Sequence, residues 1–197
     1  MTMGQLKRAR STGAKEARRA VILRTARDLF EKSGYDAITV AEVARRSKLA
    51  KGTVFLYFAT KEALFLDLFE DMQAEWLRAL HEAVALDDKP WPSARLARVI
   101  TDSLAERPAL LRLMPIAATR LLPGVSGPRA SEFRHKLLRR FFGIGSLVEQ
   151  RLGLARAADG VPLLTFAQAM IVGLPAGEDL RTALTVLFNG FHRKHAV

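Results

Sequence analysis

The stretch 39-TVAEVARRSKLAKGTVFLYFATKEALF-65 contains three short helical patterns, and two of them end after about two turns. Thr39 and Glu42 have the S/T-x-x-E spacing of a capping box, which predicts the start of a helix. A very short helix follows over 51–57, and Thr60 predicts the cap of a longer one. Two short helices joined by a turn of three or four residues are typical of a helix-turn-helix.

The second short helix has the composition of a segment that approaches DNA. A helix that enters the major groove reads base edges with its first turns, so small or basic residues there favour close approach. Lys51 supplies charge, Gly52 has no Cβ, and Thr53 offers a hydroxyl. Glycine is also a poor helix former, so a plain loop is the alternative.

The charge of the chain is unevenly distributed. The 197 residues carry a formal net charge of +11. Residues 1–60 hold 13 Lys or Arg against 5 Asp or Glu (+8), whereas residues 61–197 hold 18 against 15 (+3). This asymmetry favours a polyanion-binding segment joined to a near-neutral body, with an ordinary solvated face as the alternative. The absence of cysteine excludes disulfides and thiolate metal sites and is compatible with a cytoplasmic location.

The remaining sequence predicts an all-α fold of about nine helices. Lys15–Lys32 is the first, with Ile22, Ala26, Leu29 and Phe30 on one face. Pro115 predicts a kink or an early end. Further helices are predicted at 93–106, 108–122, 131–152, 162–174 and 178–194. No apolar run is long enough to span a bilayer and no signal-peptide pattern follows the basic N-terminus, so we expect no membrane association.

The segment from Ile22 to Phe65 resembles the N-terminal domain of TetR-family transcriptional regulators. The matching motifs, all in register, are Leu29-Phe30, Gly34-Tyr35, Thr39-Val40, Ala44, Lys51-Gly52-Thr53, Phe55, Tyr57-Phe58 and Lys61-Glu62. The resemblance implies a flexible basic arm over 1–14, a three-helix helix-turn-helix DNA-binding domain over 15–60, and a helical effector-binding and dimerisation domain over 61–197. It implies a regulator, most simply a repressor, that binds double-stranded DNA at an inverted-repeat operator as a homodimer.

The resemblance also assigns DNA contacts by position. The expected DNA-binding residues are Thr39, Arg46, Lys48, Ala50, Lys51, Gly52, Thr53, Phe55, Tyr57 and Lys61. Two of them depart from the family pattern. Ala50 replaces a serine that would cap the helix, which costs about 1 kcal/mol. Phe55 replaces a tyrosine, so any contact it makes is apolar, for example to a thymine methyl. The operator sequence therefore does not transfer from the family.

The near-neutral body suits a sensor for a small, mostly apolar effector of unidentified structure. The candidate pocket residues are aromatic, Met and Leu side chains at helical spacing: Phe69, Met72, Trp76, Leu110, Leu113, Met114, Phe133, Leu137, Phe141 and Met170. Such stripes form hydrophobic core more often than a ligand pocket. A regulator that binds DNA without any effector is the alternative for this half of the chain.

The last two helices are the predicted dimer interface, because apolar residues cover more than one face of them. The candidates are Leu163, Phe166, Ala167, Met170, Leu180, Ala183, Leu184, Leu187, Phe188 and Phe191. Two such helices from each subunit would form a four-helix bundle. Burial within one subunit is the competing interpretation.

Other chemistries have weak support. His192 and His195 lack a carboxylate or cysteine to complete a metal site, so no metal or cofactor is expected. Gly143-Ile144-Gly145 does not follow a strand, so it is not a nucleotide loop, and no catalytic arrangement indicates an enzyme. The basic arm is expected to enter the minor groove of DNA. The alternatives are a loose electrostatic tether to DNA and a role in solubility alone. Binding to a membrane surface or a protein partner through the basic first helix is a second hypothesis.

Overall fold

A computed structural model describes residues 3–86, 88–154 and 159–193. All regular structure in these ranges is helical, comprising nine α-helices and one π-helical segment. This confirms the all-α prediction with about nine helices. Packing divides the chain into an N-terminal unit, Met1–Leu68, and a C-terminal unit, Phe69–Val197.

The N-terminal unit contains three complete helices and the beginning of a fourth. They are α1 (Met3–Ser33), α2 (Val40–Arg46), α3 (Lys51–Tyr57) and α4 (Lys61–Ala85), which continues into the C-terminal unit. The predicted start of α1 at Lys15 was wrong, because the helix begins at Met3. Most residues of the preceding segment are good helix formers and none is proline, so nothing local ends the helix there. The structure does not describe the side chains of residues 3–12, and the DNA role of this segment stays a prediction.

The core of the N-terminal unit is built on the predicted face of α1. Ile22 and Ala26 are fully buried, and Leu29 and Phe30 are buried beside them, as the spacing predicts. The Phe65 ring lies edge-on to Phe30, with ring centroids 6.0 Å apart. These contacts join the first helix to the start of α4.

The C-terminal unit consists of the remainder of α4 and five further α-helices. They are α5 (Ser93–Ala105), α6 (Pro108–Ile116), α7 (Gly127–Leu152), α8 (Gly160–Gly173) and α9 (Glu178–Arg193). α6 ends early, as Pro115 predicts: it stops one residue after the proline. A π-helical segment, Ala117–Leu121, follows it. α7 begins earlier than predicted because the Ser126 hydroxyl accepts a hydrogen bond from the Arg129 N–H and caps it.

Two buried charged residues of the C-terminal unit have specific hydrogen-bond partners. The Glu70 carboxylate, which is buried, accepts hydrogen bonds from Arg129 at 2.8 Å and Lys136 at 3.2 Å. Arg151, also buried, donates from Nε to the Val84 carbonyl at 2.9 Å. Such pairing offsets the cost of removing charge from water.

Candidate DNA-binding site

Hydrogen bonds cap both ends of α2, and those at its C-terminal end fix the turn that leads to α3. The Thr39 hydroxyl accepts from the Glu42 N–H at 3.1 Å and caps α2, as predicted. At the other end the Leu49 N–H donates to the Ala44 carbonyl at 3.0 Å, and the Lys48 N–H donates to the carbonyl of Arg45. This pair of bonds is a Schellman motif. It places Lys48 in the left-handed region, with φ 58°.

α3 is held by its buried side and presents its other side to solvent. Val54 is fully buried, whereas Lys51 and Gly52 are exposed and Thr53 is half-buried. Ala50 occupies the N-cap position in extended conformation and makes no side-chain cap bond, as expected for alanine. The helix is therefore positioned by packing rather than by capping, with its first turn open.

Nothing within the described structure requires glycine at position 52. A Cβ added at Gly52 would meet no atom within 4 Å, and its backbone is not in the left-handed region. Glycine inside a helix costs about 1 kcal/mol relative to alanine. A residue that is unfavourable for the helix and unexplained by packing suits close approach of an external surface such as a DNA backbone.

Two large apolar side chains extend this exposed face. Phe55 is 42% exposed and Leu56 is 82% exposed. The Lys51 ammonium lies 5.8 Å from the centroid of the Phe55 ring, a cation–π distance. Leu56 was not among the DNA-binding residues predicted from the sequence, although it lies four residues after Gly52 and so shares its side of the helix.

The two arginines at the end of α2 are bound to one carboxylate. Arg45 donates to both oxygens of Glu42, at 2.8 and 2.7 Å, and Arg46 donates to Oε1 at 2.9 Å. The hydrogen bonds from Arg45 and then Arg46 lower the pKa of Glu42 to about 2. Arg46, a predicted DNA contact, therefore has an intramolecular partner that a phosphate would have to replace.

Lys61 and Glu62, which open α4, are both bound to Tyr35. Lys61 Nζ donates to the Tyr35 carbonyl at 2.7 Å, and the Tyr35 hydroxyl donates to Glu62 Oε1 at 3.1 Å. Burial acts to raise the pKa of Glu62, but hydrogen bonds from its own N–H and from Tyr35 outweigh this effect and the pKa is lowered. Thr60 caps the helix, as predicted, by accepting from the Ala63 N–H at 3.0 Å.

The ten predicted DNA-binding residues all lie in the N-terminal unit. Thr39, Arg46, Lys48, Ala50, Lys51, Gly52 and Phe55 are exposed, and Thr53, Tyr57 and Lys61 are half-buried. Their exposure is compatible with contact to an external ligand. Which of them touch DNA stays a prediction.

The ten predicted pocket residues lie in the C-terminal unit, most of them in its core. Phe69, Met72, Trp76, Leu110, Leu113, Met114, Phe133 and Phe141 are buried, and Leu137 and Met170 are half-buried. Phe69 packs against Phe133 with centroids 5.7 Å apart. Trp76 and Phe141 line a small apolar cavity of about 10 Å³, together with side chains of α5 and α8. A cavity of this size holds one water at most.

The predicted dimer residues fall into two groups. Leu163, Ala167, Leu180, Leu184 and Phe188 are at most 2% exposed within one subunit, so they are not available to a partner and drop out of the proposed interface. The physical reason is that α8 and α9 have apolar residues on two faces, one of which packs into the subunit's own core. Phe166, Met170, Ala183, Leu187 and Phe191 remain accessible.

The described ranges contain neither a membrane-spanning helix nor a cluster of metal ligands. No helix there is long and apolar enough to cross a bilayer. No group of three or more His, Cys, Asp or Glu side chains is placed to hold a metal ion in the same part of the chain. His192 and His195 lie outside the described side chains.

Comparison with known proteins identifies the family of both halves of the chain. Residues 22–68 match the family described as bacterial regulatory proteins, tetR family. Residues 70–179 match the tetracyclin repressor-like C-terminal domain. The two matches meet near the boundary between the units.

Curated relatives match part of the chain. The transcriptional regulator QacR of Staphylococcus aureus is 40% identical over 55 residues, which is 28% of this chain and 29% of QacR. The transcriptional repressor Rv3405c of Mycobacterium tuberculosis is 32% identical over 100 residues, 51% of this chain and 53% of Rv3405c. The chain thus matches about half or less of these relatives' lengths. Both are named as transcription regulators, not enzymes.

Solved structures share the fold over most of the chain. FadR of Thermus thermophilus, a transcriptional repressor in complex with lauroyl-CoA, has a TM-score of 0.64 and 22% identity and covers 91% of this chain and 95% of its own. A TetR regulator from a Rhodococcus species has a TM-score of 0.63 and 18% identity, covering 89% and 95%. Since the C-terminal family model alone matches over half of the sequence, the chain belongs to the TetR family of bacterial transcriptional regulators.

Proposed function

We propose that this protein is a repressor that binds an inverted-repeat operator as a homodimer through α3 and is released by a small, mostly apolar effector. The observation that carries the proposal is the exposed start of α3, where Lys51 and Gly52 face solvent and an unexplained glycine leaves space for DNA. A regulator of this kind acts in the cytoplasm, where bacterial DNA lies.

Charge supports DNA as the partner of this surface. Most of the net charge of +11 lies in residues 1–60. Phosphate contacts supply most of the affinity for DNA and make it depend on salt, because each neutralised phosphate releases counterions. Lys51, Lys48 and Arg46 would supply such contacts beside α3. Base edges would be read by the side chains of α3 itself.

The accessible face of α8 and α9 supports dimerisation. Phe166 is 55% exposed and Val186 is 65% exposed, and the Phe166 ring lies 6.3 Å from the partly buried Phe191 ring. Two copies paired through this face would present two α3 helices to half-sites about 34 Å apart, one turn of DNA.

Phe166→Glu should give a monomer by light scattering at micromolar concentration. The matched change Phe142→Glu, on α7, should leave a dimer; a monomeric wild type would contradict the proposal.

An apolar effector is supported by the interior of the C-terminal unit. The small cavity lined by Trp76, Leu80 and Phe141 lies in an apolar core that has a packing defect. FadR of Thermus thermophilus, which has a related fold, was solved in complex with lauroyl-CoA. An effector releases DNA only if it binds the DNA-free conformation more tightly than the DNA-bound one.

The salt dependence of DNA binding tests the role of α3. Fluorescence anisotropy with a labelled duplex, measured from about 50 to 200 mM salt, gives the slope of log K against log salt. Lys51→Gln should weaken binding to all sequences and reduce the slope by about 0.9. Arg98→Gln removes the same charge from an exposed position in the C-terminal unit and should leave both unchanged. Equal effects of the two variants would contradict the proposed DNA-binding face.

A further inference from the structure

An open groove of about 240 Å³ lies between α4 and α7 in the C-terminal unit. Its polar side chains are Arg78 and His81 from α4 and Arg140 from α7. Its apolar walls are formed mainly by Leu77 and Ile144. The groove therefore combines positive charge with hydrocarbon surface, and no carboxylate is among its described lining residues. Its volume lies just below the range of about 300–1,000 Å³ that is usual for small-molecule sites.

Arg140 has a hydrogen-bonding group that the described part of the protein leaves unsatisfied. Its Nη1 atom is buried and has no hydrogen-bond partner among the described residues. By contrast, Arg129 and Lys136 bind Glu70, and Arg151 binds the Val84 carbonyl. A buried guanidinium nitrogen without an acceptor is unfavourable, and Arg140 lines the groove, so an acceptor bound there would satisfy this residue.

The chemistry of the groove limits the class of that acceptor. The planar fork of arginine matches the paired oxygens of a carboxylate or a phosphate. Arg78 and His81, both exposed, line the same groove and can add charge or a hydrogen bond. Small inorganic anions would leave the walls formed by Leu77 and Ile144 uncovered. An anion with an attached apolar body would use both parts of the site.

The groove also adjoins the apolar interior. Leu77 lines both the groove and the small apolar cavity with Trp76 and Phe141. A hydrocarbon chain held at the groove by its head group would therefore lie against a side chain that also borders the apolar core.

We infer that this groove is a binding site for an amphipathic organic anion, with its carboxylate or phosphate on Arg140 and Arg78 and its apolar body along Leu77 and Ile144. The existence of the site does not depend on the proposed function, but its role as the effector site rests on that function. A head group bound here would join α4 to α7.

Isothermal titration calorimetry of the full-length protein tests the site with four probes. The two charged amphiphiles are used below their critical micelle concentrations. Dodecanoate and dodecyl phosphate carry both head and tail, dodecanol lacks the charge, and inorganic phosphate lacks the tail. The two amphipathic anions should bind, and the other two should bind at least about tenfold more weakly. Comparison of the two binding probes distinguishes a carboxylate site from a phosphate site. Equal affinity for dodecanol would contradict the assignment of charge.

Two neighbouring arginines provide a matched pair of variants. Arg140→Gln removes the unpartnered group, whereas Arg139→Gln removes an equal charge from an exposed position on the same helix. Arg140→Gln should lower the affinity for the tighter-binding anion by about tenfold to a hundredfold, and Arg139→Gln should leave it unchanged. Equal losses would show general attraction to a basic protein and overturn the site. Thermal unfolding of both variants checks that each is folded.

DNA release separates this inference from the proposed function. If the anion binds through Arg140 but DNA affinity is unchanged, the site stands and the effector role in the proposed function fails. If the anion releases DNA equally from wild type and Arg140→Gln, the sensor function stands and this site is wrong.

Discussion

The Lys61 ammonium donates a hydrogen bond to the Tyr35 carbonyl at 2.7 Å and lies 4.0 Å from the centroid of the Tyr35 ring. The same tyrosine packs edge-on against Phe65, with ring centroids 4.9 Å apart. This arrangement fastens the start of α4 to the turn that follows α1. It gives the Gly-Tyr and Lys-Glu motifs a structural role, in addition to the DNA contact that the family resemblance implies for Lys61.

Lys61→Met should therefore lower the stability of the fold. The change removes a charge-assisted hydrogen bond and a cation–π contact from a half-buried position, for a loss of about 1–2 kcal/mol in the free energy of unfolding. Urea denaturation measures the loss, and Lys32→Met, at an exposed position in the last turn of α1, is the control. Unchanged stability together with a smaller salt slope for DNA binding would instead assign Lys61 to phosphate.

Gly52→Ala should change stability and DNA affinity in opposite directions. The added Cβ has free space and suits a helix, so the free energy of unfolding should rise by about 0.5–1 kcal/mol. The same methyl would hold α3 away from DNA and weaken binding by about tenfold. Gly143→Ala, which also adds a Cβ in open space on α7, should stabilise without affecting DNA. Undiminished DNA affinity in Gly52→Ala would exclude close approach at this position.

Lys48 combines an unfavourable backbone conformation with a useful charge. Lys48→Gly relieves the left-handed conformation and should stabilise the protein by about 1 kcal/mol while weakening DNA binding. Lys48→Gln keeps the Cβ and removes the charge, so it should share the weaker binding but not the gain in stability. Thermal unfolding and anisotropy on both variants separate the two effects. A stability gain in Lys48→Gln would refute the backbone explanation.

Glu42 makes the stability of the N-terminal unit sensitive to acid. Because its pKa is lowered in the folded state from 4.5 to about 2, its carboxylate stabilises the fold above about pH 4.5. That contribution is lost as pH falls toward 2. Glu42→Gln should flatten the decline in melting temperature over this window. It should also strengthen non-specific DNA binding at neutral pH, because Arg45 and Arg46 lose their partner; identical pH profiles would argue against the ion-pair network.

Short-range signals explain what could be predicted from the sequence. The caps at Thr39 and Thr60 and the buried face of α1 depend on neighbours a few residues apart, and each was confirmed. The helix start at Lys15 was wrong because a basic composition does not itself end a helix. Leu163 and Phe188 were assigned to a partner surface because periodicity cannot distinguish a subunit's own core from an interface.

The groove at Arg140 had no sequence signal. Arg78 and Arg140 are 62 positions apart in the chain (140 minus 78) and line one groove through the packing of α4 on α7. An arginine on an amphipathic helix is normally solvated, so its unpartnered buried nitrogen becomes visible only in the structure. Long-range packing, rather than local pattern, creates this candidate site.

Operator recognition through α3 is tested by selecting bound fragments of the source genome with the purified protein, at about 150 mM salt where non-specific binding is weak. We expect enrichment of an inverted repeat with half-sites about one helical turn apart, and loss of this enrichment when Lys51→Ala replaces the wild type. Enrichment of the same fragments by both proteins, or retention of DNA without any shared sequence, would contradict operator recognition through α3.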